Sequence, residues 1–352
     1  MRTAVVVFNL GGPDAPEAIR PFLFNLFSDR AIINLPQPLR WLLAHLISGR
    51  RAGPAKAIYA HLGGRSPILE GTKAQAQALE AQLGRTLPEN DEVRVFVAMR
   101  YWRPRASEAV AQVARWAPQR IVLLPLYPQY STTTSASSLA EWRQLAGRAG
   151  LEMPTTAVCC YPRQPGFIAA LAGGVRQALE DMRGQGQEPR LLLSAHGLPR
   201  KVIERGDPYQ WQVEETAAAL LAALGDEDAQ SVICYQSRVG RLEWIGPATE
   251  DEIRRAGGEG RALLVVPLSF VSEHSETLVE LDIEYAELAA KAGVPAYRRV
   301  ATVATDAAFI GGLADLVGTA LEAPAGLCRG GAPCQAGLAG CAEQQAGGSG
   351  GA

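Results

Sequence analysis

Two long segments lack charge of one sign. From Arg30 to Leu69 there is no Asp or Glu, although Arg30, Arg40, Arg50, Arg51, Lys56 and Arg65 are basic. From Ser272 to Ala290 there is no Lys or Arg, although Glu273, Glu276, Glu280 and Glu284 recur three, four and four residues apart. The chain as a whole has no basic surplus. Its 34 Lys and Arg against 36 Asp and Glu leave a net charge of −2, which argues against a nucleic-acid partner. No apolar run approaches the length of a membrane span. There is no G-x-x-x-x-G-K-[ST] and no G-x-G-x-x-G after a strand pattern, so the usual phosphate-cradling loops are missing. GGSGG (347–351) matches a hydrolase elbow in form only, since no strand or helix pattern flanks it. The opening MRTAVVVFNLGG lacks a small-residue cleavage pattern and reads as a first strand rather than a leader. Six cysteines without such a leader read as thiols or metal ligands, and the expected location is cytoplasmic.

A chain of 352 residues predicts two domains. Short aliphatic, β-branched runs (4–10, 93–99, 120–126, 155–160, 190–196, 231–235, 262–270) alternate with Ala- and Leu-rich amphipathic runs (73–83, 107–116, 167–182, 211–224). Such alternation predicts an α/β fold of parallel, doubly wound sheets covered by helices on both faces. The halves echo each other. VFNLGGP parallels LLSAHGLP, and LLPLYPQYSTTTSASSLAE parallels LVVPLSFVSEHSETLVELD. The expected division is 1–145 plus 305–322, then 146–304, with a Gly/Cys-rich tail at 323–352. The first half carries an extra segment at 20–68. Ligands of open α/β sheets bind beyond the carboxyl ends of the strands, and with two such units the expected site is the cleft between them.

Three stretches carry chemistry. LLLSAHGLPRKVIERGDPY (191–209) delivers His196 to a strand end, where imidazole can exchange a proton near neutral pH or ligate a metal. VSEHSETLVELDIEYAE (271–287) also begins at a strand end, with His274 heading the row of acids. Same-sign carboxylates stacked on one helix face attract cations, and oxygen donors with one imidazole suit a loosely held divalent metal in transit. The alternative is a solvated helix face. In the segment 21–69, which contains the acid-free stretch, Phe22, Phe24, Phe27, Leu39, Trp41, Leu42, Leu43, Leu46 and Ile47 accompany those basic residues. Apolar and basic groups together suit an anionic membrane surface or an apolar carboxylate ligand, against the alternative of a helical hairpin with a plain core face. In the tail, Cys328, Cys334 and Cys341 could wrap a metal or cluster with a fourth ligand from elsewhere, zinc being one alternative.

These stretches, with NLGGP (9–13), GGRSPI (63–68), MRYW (99–102), LYPQYSTTTSASSL (126–139) and YQSRVGRLEWIGP (235–247), resemble the ferrochelatase family over about 1–322. The resemblance implies two Rossmann-like domains with a porphyrin cleft between them. It implies a lyase that inserts Fe²⁺, as substrate, into protoporphyrin IX to form protohaem at the last step of haem biosynthesis. By position, His196 matches the active-site histidine, Glu276 its carboxylate partner, His274 a neighbouring histidine, and Glu280 and Glu284 an acidic file along a π-type helix. Arg100, Tyr101, Tyr127, Ser66 and Trp244 match porphyrin-pocket positions. The segment 20–68 matches the pocket lip, which in membrane-associated members touches the bilayer, so peripheral binding to an anionic membrane is expected. The tail resembles an extension that binds a [2Fe–2S] cluster, with Cys160, rather than the adjacent Cys159, as fourth ligand beside Cys328, Cys334 and Cys341. A homodimer is compatible with the resemblance. The competing functions are a cobalt chelatase of corrinoid synthesis and a tetrapyrrole carrier without turnover.

Overall fold

A computed structural model describes residues 1–88, 90–225, 230–238, 240, 242–328 and 338–342. The chain divides into two compact units, Met1–Cys160 with Leu313–Gly330, and Tyr161–Gly312 with Gly331–Ala352. In the first, the aliphatic runs become β1 (Arg2–Asn9), β2 (Glu92–Met99), β3 (Arg120–Pro125) and β4 (Thr155–Val158). In the second they become β5 (Arg190–His196), β6 (Ser231–Gln236), β7 (Leu263–Pro267) and β8 (Tyr297–Arg299), and a ninth strand, β9 (Gly326–Cys328), returns to the first unit. Every pairing between these strands is parallel, as the helical crossovers require.

The strand orders are β2-β1-β3-β4-β9 and β6-β5-β7-β8. The first four strands of each unit follow the same order, which is the structural form of the echo between the halves. In each sheet the chain leaves its first strand to one side and returns on the other. The crevice at that reversal lies between β1 and β3 in one unit and between β5 and β7 in the other. β4 pairs with β3 through Ile121↔Thr155 and Leu123↔Ala157. The segment 146–160 therefore belongs to the first unit, although the sequence division at 145 assigned it to the second.

The intervening helices are α1 (Ile19–Phe27), α2 (Gln37–Ala60), α3 (Ile68–Thr86), α4 (Ala106–Trp116), α5 (Ser135–Arg148), α6 (Pro165–Gly184), α7 (Arg200–Glu204), α8 (Tyr209–Leu224), α9 (Thr249–Gly258), α10 (Tyr285–Ala292) and α11 (Ala307–Glu322). Their apolar faces close the cores. In the first unit Phe8, Val110, Val113, Ile121, Leu123 and Trp142 pack together, with Phe8 edge-on to Trp142 at 5.9 Å. In the second, Leu192, Ile253, Leu263, Val265, Leu281 and Tyr285 do the same. Truncating a ring such as Trp142 to Ala costs about 3–5 kcal/mol at sites of this kind.

The corresponding helices after β3 and β7 differ. The first is the ordinary α-helix α5, whereas the second opens as a π-helix, Glu276–Glu284, before becoming α10. The amide of Tyr285 bonds the carbonyl of Glu280, five residues back, which is the π pattern.

Candidate active site

The site is built at the reversal of the second sheet. β5 is buried from Arg190 to Ala195 and surfaces at His196, whose side chain is 37% exposed. His196 pairs in register with Gln236 at the end of β6. The next residue, Gly197, lies under a tight roof. A Cβ there would stand 2.9 Å from the Gln236 carbonyl oxygen, closer than a side chain tolerates. The glycine after the histidine therefore lets the end of β6 close over the turn.

From β7 the chain runs through Phe270 into the π-helix and returns to His196. His196 Nδ1 lies 2.8 Å from Glu276 Oε2. The carboxylate accepts from Nδ1–H, which leaves Nε2 as the nitrogen that can take a proton. Burial pulls the His196 imidazole down, but the Glu276 charge and hydrogen bond, with the Glu280 charge behind them, raise its pKa above the ordinary value. Burial works on Glu276 in the opposite sense. It would raise the carboxyl, yet the charge and hydrogen bond of His196, with the Ser237 hydroxyl, hold it well below the carboxylate range.

His274 is the third member. Its Nδ1 lies 3.1 Å from the Ser272 carbonyl, which only accepts, so Nδ1 carries the hydrogen. Its Nε2 lone pair faces Glu276 Oε2 at 4.0 Å. Burial lowers the His274 pKa more than the neighbouring carboxylates raise it, so the ring stays neutral and able to ligate. Phe270 packs on both rings, with centroids 4.6 Å from His274 and 6.5 Å from His196.

Glu280 follows one turn on. It accepts from the Ser237 amide at 2.8 Å, the Ser237 hydroxyl at 2.6 Å, Gln236 Nε2 at 3.1 Å and the Tyr285 hydroxyl at 3.0 Å. The Ser237 hydroxyl also lies 3.2 Å from Glu276 Oε2, so it spans both carboxylates. Ser237 does this from a left-handed backbone, φ 60°, that turns its amide and hydroxyl toward the helix. Burial raises the Glu280 pKa, and the Glu276 charge adds to it. Glu284 is exposed. Glu273 leaves the file altogether, because its carboxylate binds Arg299 Nη1 at 3.0 Å and the Thr302 amide at 2.9 Å. The row read from the sequence is thus two ordered carboxylates, one exposed and one neutralised. The cation that sequence spacing could not supply comes from β8.

Gln236, Ser237, Phe270, Tyr285 and Arg299 were not singled out as site residues by the sequence. For Gln236 and Ser237 a signal existed: YQS closes a strand next to the one ending in His196. The others are recognisable only once β7, β8 and the π-helix are assembled.

Comparison with known proteins identifies the family. The ferrochelatase family model matches residues 2–321. The chain is 56% identical over 322 residues to a ferrochelatase of Phenylobacterium zucineum, covering 92% of each, and 54% identical to one of Caulobacter vibrioides, covering 90% of this chain and 89% of that one. This chain belongs to the ferrochelatase family. Among solved structures it is similar in fold to SirB from Bacillus subtilis with Fe3+, at a TM-score of 0.52, 12% identity and coverage of 91% and 96%.

The ferrochelatase resemblance also pointed to residues of the first unit. Ser66 is buried against the NLGGP loop, its amide bonding the Pro13 carbonyl at 2.7 Å. A Cβ on Gly12 would stand 2.5 Å from Ser66 Cβ, so the two motifs require each other. Arg100 spends its guanidinium internally: Nε on Ser137 (2.8 Å), Nη2 on Asp29 (2.8 Å) and Nη1 on Glu141 (3.0 Å). Tyr101 is 1% exposed and donates to Asp29 at 2.8 Å. Arg100 and Tyr101 therefore tie the segment after α1 to the strand end and α5. Tyr127 and Trp244 are partly exposed, and burial raises the Tyr127 phenol.

Of the tail cysteines that the ferrochelatase resemblance marked, Cys328 and Cys341 are described and buried, while Cys334 lies outside the described residues. β9 brings Cys328 beside β4, and the Cys159 amide bonds the Cys328 carbonyl at 3.0 Å. Cys159 Sγ and Cys160 Sγ are 3.4 Å apart. Among the described residues no group of three His, Cys, Asp or Glu side chains is gathered closely enough to hold a metal ion.

Proposed function

We propose that this chain inserts Fe²⁺ into protoporphyrin IX to give protohaem, with His196 as proton acceptor and the Glu276–Glu280 pair as the route for cations. The observation that carries the site assignment is the His196 Nδ1–Glu276 Oε2 bond at the reversal of the second sheet. Insertion exchanges two pyrrole N–H protons for one Fe²⁺, so charge and atoms balance when both protons leave. In its neutral form His196, held by Glu276 through Nδ1–H, takes one pyrrole proton at Nε2, passes it to solvent and then takes the second; the imidazolium that forms each time is stabilised by the same carboxylate. His274 and Glu276 present a neutral nitrogen lone pair and a carboxylate to an incoming metal. Holding the macrocycle bent exposes its nitrogen lone pairs and lowers the barrier. Tyr127, Ser66 and Trp244 are the proposed porphyrin contacts. Arg100 and Tyr101 have a structural part in the first unit, since their polar groups are bound to Asp29 and Glu141.

The test is anaerobic incubation with protoporphyrin IX and Fe²⁺, following haem absorbance. His196→Ala is expected to keep porphyrin binding and lose insertion by about two to four orders of magnitude. Turnover near that of the unmodified chain would end the assignment. A carrier without turnover has no use for a proton acceptor bound to a carboxylate file, and the family membership weighs against a corrinoid substrate.

Two further parts belong to this proposal. Ile32, Leu35, Leu39, Trp41, Leu42 and Leu46 are exposed large apolar residues within the acid-free segment, whereas Phe22 is core. Among the described residues no helix is long and apolar enough to cross a membrane. The exposed set supports peripheral docking on an anionic bilayer, where an apolar porphyrin partitions. The buried thiols at the ends of β4 and β9 fit soft-metal chemistry. Cys160, Cys328, Cys334 and Cys341 are proposed to hold a [2Fe–2S] cluster. Its place outside the His196 site leaves the proton chemistry to the residues above.

A further inference from the structure

The π-helix is held from outside by a strand of only three residues. Arg299, at the end of β8, is 7% exposed in its side chain and engages the acid-rich segment at two points. Its Nε and Nη2 grip Asp282 as a two-pronged pair at 2.6 and 2.7 Å. Its Nη1 reaches Glu273 Oε1 at 3.0 Å, on the entering side of the helix, and the Val300 carbonyl at 3.1 Å. Glu273 Oε1 also receives the Thr302 amide, just after β8, at 2.9 Å. Tyr297, at the start of β8, donates its hydroxyl to the Leu281 carbonyl inside the π-helix at 2.6 Å. Four contacts from 297–302 therefore bracket Glu276 and Glu280 in sequence, before the first at Glu273 and after the second at Leu281 and Asp282.

A π-helix is a local departure from the α pattern and persists where its surroundings fix it. Changing it to α changes the number of residues per turn. The side chains ahead of the change then rotate relative to those behind. Glu276 must meet His196, while Glu280 must meet Ser237 and Gln236, so both need one particular register. The same guanidinium is shared by Glu273 and Asp282 and offsets one of their two negative charges. Left uncompensated, those two acids would surround the ordered pair with competing carboxylates.

We propose that Arg299 is a positioning residue for iron insertion: by clamping Glu273 and Asp282 it fixes the register of the π-helix and restricts the cation route to Glu276 and Glu280. This rests on the proposed role of Glu276 and Glu280, and it assigns no contact between Arg299 and either substrate. A planar fork is what the geometry uses, so lysine is a poor replacement despite its charge.

The test compares Arg299→Gln, Arg299→Lys, Asp282→Asn and Tyr297→Phe in the full chain. Initial rates are measured against Fe²⁺ and, separately, against protoporphyrin. Arg299→Gln is expected to raise the apparent KM for Fe²⁺ by about tenfold or more while the porphyrin KM stays within about twofold. Arg299→Lys and Asp282→Asn should fall between it and the parent, and Tyr297→Phe should give a smaller change in the same direction. A stabilising role alone predicts loss of folded protein with both KM values unchanged in what remains folded, and that result overturns the proposal. So does a parallel rise of both KM values. If Arg299→Gln does not fold, Asp282→Asn decides, since its side chain is 35% exposed and its loss leaves the Glu273 contact in place. Failure of Glu276→Gln and Glu280→Gln to change the iron dependence would instead overturn the site reading on which this rests.

Discussion

The Nδ1–Oε2 bond between His196 and Glu276 moves the two groups in opposite directions, raising the imidazole and depressing the carboxyl. The signs set a pH window. A raised histidine contributes stability that is complete below its unfolded value of 6.5 and is lost as pH rises through the higher folded value. A depressed glutamate contributes stability that is complete above 4.5 and is lost as pH falls through the lower folded value. The stability difference between the parent and Glu276→Gln, measured by urea unfolding, should therefore be largest between these two unfolded values and shrink on either side. A difference that stays flat beyond both ends of that range, at lower and at higher pH alike, would mean the pair is not charged in the folded chain. The same bond predicts that the NMR titration of His196 moves to lower pH in Glu276→Gln. The activity of Glu276→Gln should fall because the imidazolium formed on proton uptake has lost its partner.

At the scale of the element, the π-helix divides its acids by environment rather than by spacing. Glu280 is bound by Ser237, Gln236 and Tyr285, whereas Glu284 is exposed. Glu280→Gln should therefore raise the apparent KM for Fe²⁺ by several-fold or more, and Glu284→Gln should change it little, in steady-state assays with iron varied. Equal effects would return the row to a diffuse electrostatic attraction. Ser237→Ala removes the hydroxyl that spans both carboxylates and should act in the direction of Glu280→Gln. The first unit shows the contrast. At the equivalent strand end Arg100 meets carboxylates with a full positive charge, and the helix it packs against is an ordinary α-helix. At the second, Ser237 and Gln236 meet carboxylates with dipoles only, which leaves Glu276 and Glu280 their attraction for a metal.

At the scale of the whole molecule, the duplicated strand order gives two similar crevices, and the additions beyond the duplication carry the expected surroundings of the chemistry. Replacing Leu39, Leu42 and Leu46 with Ser should change stability little, since exposed positions away from special contacts shift it by about 0.5 kcal/mol or less each. Co-sedimentation of the parent with anionic vesicles should fall with salt and be weakened by these substitutions. Undiminished binding by the triple variant would place the docking surface elsewhere. For the tail, a [2Fe–2S] centre predicts a red-brown protein with acid-labile sulfide. That colour should be lost in Cys160→Ser and kept in Cys159→Ser; the reverse would exchange the fourth ligand, and zinc without sulfide would replace the cluster.

The strands were legible because fully buried parallel strands are runs of β-branched and aliphatic residues, as AVVVFNL and RLLLSAH are, and their alternation with helical patterns left few other folds. His196 and Glu276 were legible because each follows a strand end, where open sheets bind ligands. Tertiary structure decided what spacing could not. A row of like charges says nothing about which members meet a counter-charge from a distant strand. Arg299 lies 26 residues from Glu273 and 17 from Asp282, and only the pairing of β8 with β7 brings it to both. The apolar side chains from Phe22 to Leu46 were likewise indistinguishable as letters. Packing of α1 and α2 put Phe22 into the core and left Trp41 and Leu42 facing outward, because burial depends on which helix face meets a neighbour.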